Sequence, residues 1–73
     1  MVTRKSREEL AEQIRGRILG GEWPPGSKVP STKAFALEYG VSQKTMGEAM
    51  KILVSNRLLW SVQGGARYTY PRP

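Results

Sequence analysis

Gly40, Val41 and Ser42 are all that separates two stretches of helical character in this 73-residue chain. A joint that short forces two helices to meet at a corner, which is helix-turn-helix spacing. Gly40 suits the left-handed position that ends the first helix. Ser42 suits the cap of the second, because its hydroxyl can accept from the free N–H groups of the turn that follows. Beyond it, Met46, Ala49, Met50, Leu53 and Val54 recur at the spacing of one apolar helix face. Gln43, Lys44, Gly47, Glu48 and Lys51 are expected on the opposite face. Gln43, Lys44 and Thr45 fall in the first turn, where the helix dipole and unpaired N–H groups favour an anion such as phosphate.

The other elements follow from local chemistry. Residues 1–5 are a basic arm, expected to be flexible. Ser6 and Glu9 form a capping box that opens a helix with Leu10, Ile14 and Ile18 on its stripe, widened by Ala11 and Leu19. Gly16 interrupts that helix and suggests a close approach there. Trp23-Pro24-Pro25-Gly26 is a rigid turn. Ser27 to Pro30 is extended, a short edge strand. Ser31 caps a helix over 32–39, with Ala34, Phe35 and Leu37 available for burial. The helix over 43–55 ends near Asn56-Arg57, with Asn56 suited to a left-handed cap. Residues 58–62 and 66–70 form a hairpin in which Ala66, Tyr68 and Tyr70 alternate, turning at Gln63-Gly64-Gly65. Residues 71–73 are a tail or the start of a linker.

The expected fold is therefore mainly α with a small β-hairpin: a winged helix-turn-helix of three helices plus a wing, over residues 6–70. Its core is expected to hold Leu10, Ile14, Ile18, Phe35, Leu37, Met46, Met50 and Leu53.

Charge narrows the function. Twelve Lys and Arg stand against six Asp and Glu, and from Trp23 onward seven bases face two acids. A single-signed field suits a polyanion. The chain has no cysteine and no histidine, which excludes a Cys/His zinc site and leaves the core to aliphatic and aromatic packing. Scattered carboxylates and the lack of a phosphate-binding glycine loop argue against an enzyme. No apolar run reaches the roughly 18 residues that span a bilayer, and the N-terminus lacks the apolar segment of a signal peptide. A cytoplasmic, nucleoid-associated protein without cofactor is expected.

From about Leu10 to Tyr68 the chain resembles the DNA-binding domain of the GntR family of bacterial transcriptional regulators. Ile14, Ile18 and the run Gly21 to Ser31 match the family's "I…I..G.(aromatic).PG..LPS" pattern, and Gly40 to Leu53 match "GVSR.TVR.AL..L". Leu58-Leu59 followed by Gly64 match its wing. The resemblance implies sequence-specific binding of a double-stranded operator, with the third helix in the major groove and the wing on the backbone or minor groove, in the manner of a repressor. It implies contacts from Lys33, Ser42, Gln43, Lys44, Thr45, Gly47, Gln63 and Gly64, and a homodimer formed on DNA or through a region outside this chain.

Several positions depart from the pattern. Lys33 and Gln43 stand where Arg is usual, Gly47 replaces the Arg of "TVR", Arg57 replaces a glycine, and the wing's "G.GT" becomes Gly64-Gly65-Ala66-Arg67. Losing Arg from the recognition helix moves readout from guanine toward adenine, which the amide of Gln43 can pair. Lys51, Arg57, Arg67 and Arg72 are expected to be solvated charges. Trp23, Phe35, Tyr68 and Tyr70 are expected in core and wing packing. An alternative keeps the winged helix but makes it a protein-interaction module, with Trp60, Tyr68 and Tyr70 as contacts and residual non-specific DNA affinity.

Overall fold

In the computed structural model, which describes residues 6–62 and 66–70, the order is α1 (Arg7–Leu19), α2 (Thr32–Tyr39), α3 (Gln43–Ser55), β1 (Leu59–Ser61) and β2 (Arg67–Thr69). The arm at 1–5, the turn at 63–65 with Gln63 and Gly64, and the tail at 71–73 lie outside the described residues.

The caps act as their chemistry dictates. Ser6 Oγ accepts from the Glu9 amide at 3.1 Å while Ser6 N donates to Glu9 Oε1 at 3.0 Å, a complete capping box. Ser31 and Ser42 each accept from the amide three residues on, both at 3.1 Å. Gly40 takes the left-handed conformation (φ 68°) at the end of α2. Pro25 and Gly26 (φ 78°) occupy the centre of a turn closed by Ser27 N donating to Pro24 O at 3.1 Å. Pro at the second position and a positive-φ Gly at the third are what a type II turn demands.

The core joins Leu10, Ala11 and Ile14 of α1 with Phe35 and Ala36 of α2 and Met46, Ala49, Met50 and Leu53 of α3, closed by Val29 and Leu59. Of the residues expected inside, Leu37 is 76% exposed. At about 100° per residue it lies about 200° from Phe35, so α2 buries Phe35 and Ala36 and turns Leu37, like Ala34, to solvent. Ile18 is half-buried, since it continues the α1 stripe past the end of the core. Leu19 sits off that stripe and is exposed. Gly16 has nothing within 4 Å of where a Cβ would stand, so it serves no close packing.

Arg17, half-buried at the end of α1, ties the helices to the turn. Its Nε donates to Glu22 Oε1 at 2.7 Å and its Nη2 to Glu22 Oε2, the bidentate geometry of a strong pair. Its Nη1 donates to Glu38 Oε2 at 2.9 Å and to the Tyr39 hydroxyl at 3.0 Å. The guanidinium also lies 4.9 Å from the Trp23 ring centroid, and Trp23 meets Phe35 edge-on at 5.8 Å.

The wing is wider than the hairpin alone. β1 and β2 pair antiparallel, with Leu59 opposite Thr69, Trp60 opposite Tyr68 and Ser61 opposite Arg67. Val29 N donates to Arg67 O and Thr69 N to Ser27 O, so the extended 27–29 segment lies along β2 as a third, minimal strand. The faces are the reverse of the aromatic alternation. Leu59 and Thr69 are buried and Arg67 is half-buried, whereas Trp60 and Tyr68 stack outside with centroids 5.3 Å apart and Tyr70 is 43% exposed. Buried Thr69 is satisfied: its hydroxyl donates to Pro24 O at 2.8 Å and accepts from Ser27 N at 3.1 Å.

Between α3 and β1 the left-handed residue is Arg57 (φ 61°) rather than Asn56 (φ −86°). This conformation crowds a Cβ against the following carbonyl oxygen, by about 1–2 kcal/mol. Glycine removes that strain but loses more entropy on folding. Arg57→Gly is expected to raise stability by about 0.5–1 kcal/mol, seen as a melting temperature several degrees higher with unchanged circular dichroism.

Candidate nucleic-acid interface

The corner between α2 and α3 gathers most of the expected site residues. The Gly40 bend, with Gly40 N and Val41 N both donating to Ala36 O, sets the second helix starting beside the first. Lys33 on α2 and Gln43 and Lys44 on α3 are exposed. No hydrogen bond or ion pair to a described residue engages their side chains. These are free donors on one corner, as a polyanion site requires.

Ser42 and Thr45 are placed differently. Ser42 Oγ accepts from Thr45 N and donates to Thr45 Oγ1 at 3.0 Å, so the Ser42 hydroxyl is committed to the cap while Thr45 Oγ1 accepts and keeps its own hydrogen. Ser42 holds the first turn in shape, and Thr45 retains a donor at the same corner. Gly47 sits on the outer face of α3, where a Cβ would meet Thr32 Cγ2 at 3.9 Å, an ordinary contact. A side chain fits there.

Helical angle separates Gln43 from Lys44. Gln43 lies only about 20° from Met50 around the helix, so its exposure comes from preceding the packed part of α3. Lys44 shares the outer face with Gly47, Glu48 and Lys51. Both approaches lead to the N-terminal end of the helix, which a recognition helix presents to base edges.

Two side chains with long-range contacts near this corner escaped the sequence reading. Arg7 donates from Nη1 to Glu48 Oε1 at 3.2 Å and from Nε to Glu8 at 3.1 Å. These exposed pairs contribute little to stability, but the first neutralises a carboxylate on the outer face of α3 that would repel phosphate. No local pattern marks it, because Arg7 and Glu48 lie 41 residues apart. The other is Arg67, expected to be solvated. Its position on the inner face of β2 lets its Nη1 donate to Thr32 Oγ1 at 2.9 Å, linking the wing to the start of α2. The alternation of aromatic residues along the strand points to the opposite face, and nothing in the sequence names Thr32 as the acceptor.

Among the described residues no group of His, Cys, Asp and Glu could hold a metal ion. No helix among them is long and apolar enough to cross a membrane.

Three helices with a short turn before the third, followed by a hairpin against their core, make this a winged helix-turn-helix domain. Its sequence matches the family of bacterial regulatory proteins, gntR family, over residues 6–68, and the chain belongs to that family. It is 38% identical over 60 residues to the mannosyl-D-glycerate transport/metabolism system repressor MngR of Escherichia coli, covering 82% of this chain and 25% of that protein. It is 44% identical over 64 residues to the HTH-type transcriptional regulator Mce2R of Mycobacterium tuberculosis, covering 86% and 27%. The chain thus spans about a quarter of the length of these relatives.

Among solved structures it is similar to AraR(DBD) in complex with operator ORE1, with a TM-score of 0.82 and 33% identity over 92% of this chain and 82% of that one. It is also similar to Streptococcus agalactiae BusR in complex with its busAB-promotor DNA, with a TM-score of 0.80 and 26% identity over 94% and 33%. These relatives are regulators of transcription rather than enzymes.

Proposed function

We propose that this domain binds a double-stranded DNA operator in a sequence-specific way, as the reading head of a bacterial transcriptional repressor in the cytoplasm. The observation that carries this reading is the free donor set Lys33, Gln43 and Lys44 at the α2–α3 corner, at the end of α3 that enters a major groove. Similarity to regulators whose structures hold operator or promoter DNA supports it, as does a relative named as a repressor. Gln43 reads a base, Lys44 and Lys33 hold phosphates on either side, and Gln63-Gly64 at the wing tip meets the backbone or minor groove. Two copies are needed to engage half-sites about a helical turn apart.

The protein-interaction alternative is not favoured, and two of its three expected contacts are engaged within the wing. Trp60 and Tyr68 stack on one another, and Trp60 Nε1 donates to Thr69 O at 3.2 Å, so both rings have a role inside the wing.

The test is a selection of bound duplexes from a random pool, followed by titration against salt. Binding by an isolated copy is expected to be weak and steeply salt-dependent, with a log–log slope of about −0.9 per phosphate neutralised and roughly 3–5 phosphates engaged. Affinity that does not change between low and moderate salt, with no sequence enriched, would overturn the proposal.

A further inference from the structure

Arg67 is a base that the fold turns inward. It stands opposite Ser61 on the face that carries Leu59 and Thr69. One guanidinium nitrogen, Nη1, is held by Thr32 Oγ1 at 2.9 Å. Another, Nε, is buried with no hydrogen-bond partner among the described residues. A buried, unanswered N–H on a charged group is costly and uncommon in a finished structure. Nε itself is closed off from outside, but Nη2 has no bond to a described residue and is not among the buried groups, so it is the donor left for an acceptor that arrives there.

The surroundings say which acceptor. Thr32 opens α2 immediately before Lys33. Its methyl group lies 3.9 Å from where a side chain on Gly47 would begin. Gly47 in turn stands between Lys44 and Lys51 along the outer stripe of α3. The recognition helix therefore has a gap in its outer face, bordered by Thr32, whose hydroxyl holds Arg67. A guanidinium held through one nitrogen keeps further donors in a planar fork, the geometry that matches a phosphate.

We infer that Arg67 is a DNA-contacting residue. The wing delivers its guanidinium to the start of α2, Thr32 orients the fork, and the Nη N–H donors left over take a phosphate oxygen of the duplex. This rests on the DNA-binding reading above, and it adds a contact from the body of the wing to those from its tip.

Fluorescence anisotropy with a mixed-sequence duplex at several salt concentrations tests it. Arg67→Gln keeps an N–H for Thr32 and removes the charge. It is expected to weaken binding roughly ten- to a hundredfold and make the log–log salt slope shallower by about one. Thr32→Val keeps the charge but releases the fork, so affinity falls while the slope stays as in the parent. Should Arg67→Gln also melt lower, both chains are compared below the lower midpoint, where the slope still separates a lost phosphate contact from a loosened wing. The inference is overturned if Arg67→Gln leaves slope and affinity unchanged while Lys44→Ala makes the slope shallower, for then DNA is bound and Arg67 merely ties the wing. A parent chain with no salt-dependent affinity defeats the DNA-binding reading instead.

Discussion

Arg17→Ala lowers the melting temperature by about 10 °C, from a loss of about 2 kcal/mol at roughly 4–8 °C per kcal/mol in a domain of this size. The substitution removes the bidentate pair with Glu22, the bonds to Glu38 and Tyr39, and the cation that lies over Trp23. It leaves the Tyr39 hydroxyl without this donor and opens the space beside Trp23 and Phe35. Arg17→Lys keeps the charge but lacks the planar fork and recovers less than half of the loss.

The same pair makes stability depend on pH. The Arg17 guanidinium holds the Glu22 carboxyl below the usual glutamate range. A carboxyl whose folded pKa is lowered stabilises the fold above its unfolded pKa, and that contribution is lost as pH falls through the folded value. The gap in melting temperature between parent and Arg17→Ala should therefore be full near neutrality and narrow in acid below the glutamate range. Thermal melts of both chains across pH check both results.

Gln43→Ala costs roughly 1–3 kcal/mol on the preferred duplex and relaxes base preference at one position, because an amide paired bidentately with adenine is lost. Lys44→Ala and Lys33→Ala weaken all sequences alike and make the salt slope shallower by about one each. Gly47→Arg raises affinity and moves preference toward guanine, since a Cβ at this position makes only an ordinary contact with Thr32. The four variants against a randomised half-site library decide the roles. Uniform weakening by Gln43→Ala, with altered base preference from Lys44→Ala, would exchange them. The helix makes this a live comparison, because Lys44 rather than Gln43 shares the outer face with Gly47.

The parts of this fold that were legible are those set by neighbours along the chain. Caps at Ser6, Ser31 and Ser42, the left-handed Gly40 and the α3 stripe all follow from interactions within a few residues. Leu37 misled because hydrophobicity alone says nothing about angle in a helix of eight residues. The wing misled for a deeper reason. Tyr68 and Tyr70 alternate as an inward face would, yet Arg67 and Thr69 take that face because their polar groups are answered by Thr32, Pro24 and Ser27. Those partners lie 35–45 residues away, beyond any local pattern. Arg17 was overlooked likewise: its ion pair with Glu38 spans 21 residues. At the site, the exposure of Lys33, Gln43 and Lys44 was legible, whereas the link from Arg67 to Thr32 requires the fold.

The bonds of Thr69 also set an order of assembly. The hydroxyl that closes the wing reaches Pro24 and Ser27, 45 and 42 residues earlier, whereas each helix forms from contacts within a turn or two. Closing so long a loop gains nothing until both ends are present, and such pairings form late. On the ribosome, where chains emerge from the N-terminus, the three helices can collapse on Phe35 and Met50 while the last strand is still inside. Ser27 and Val29 then wait as an unpaired edge until Thr69 emerges. A chain stalled short of that residue would keep its recognition corner and lack the strand that carries Arg67.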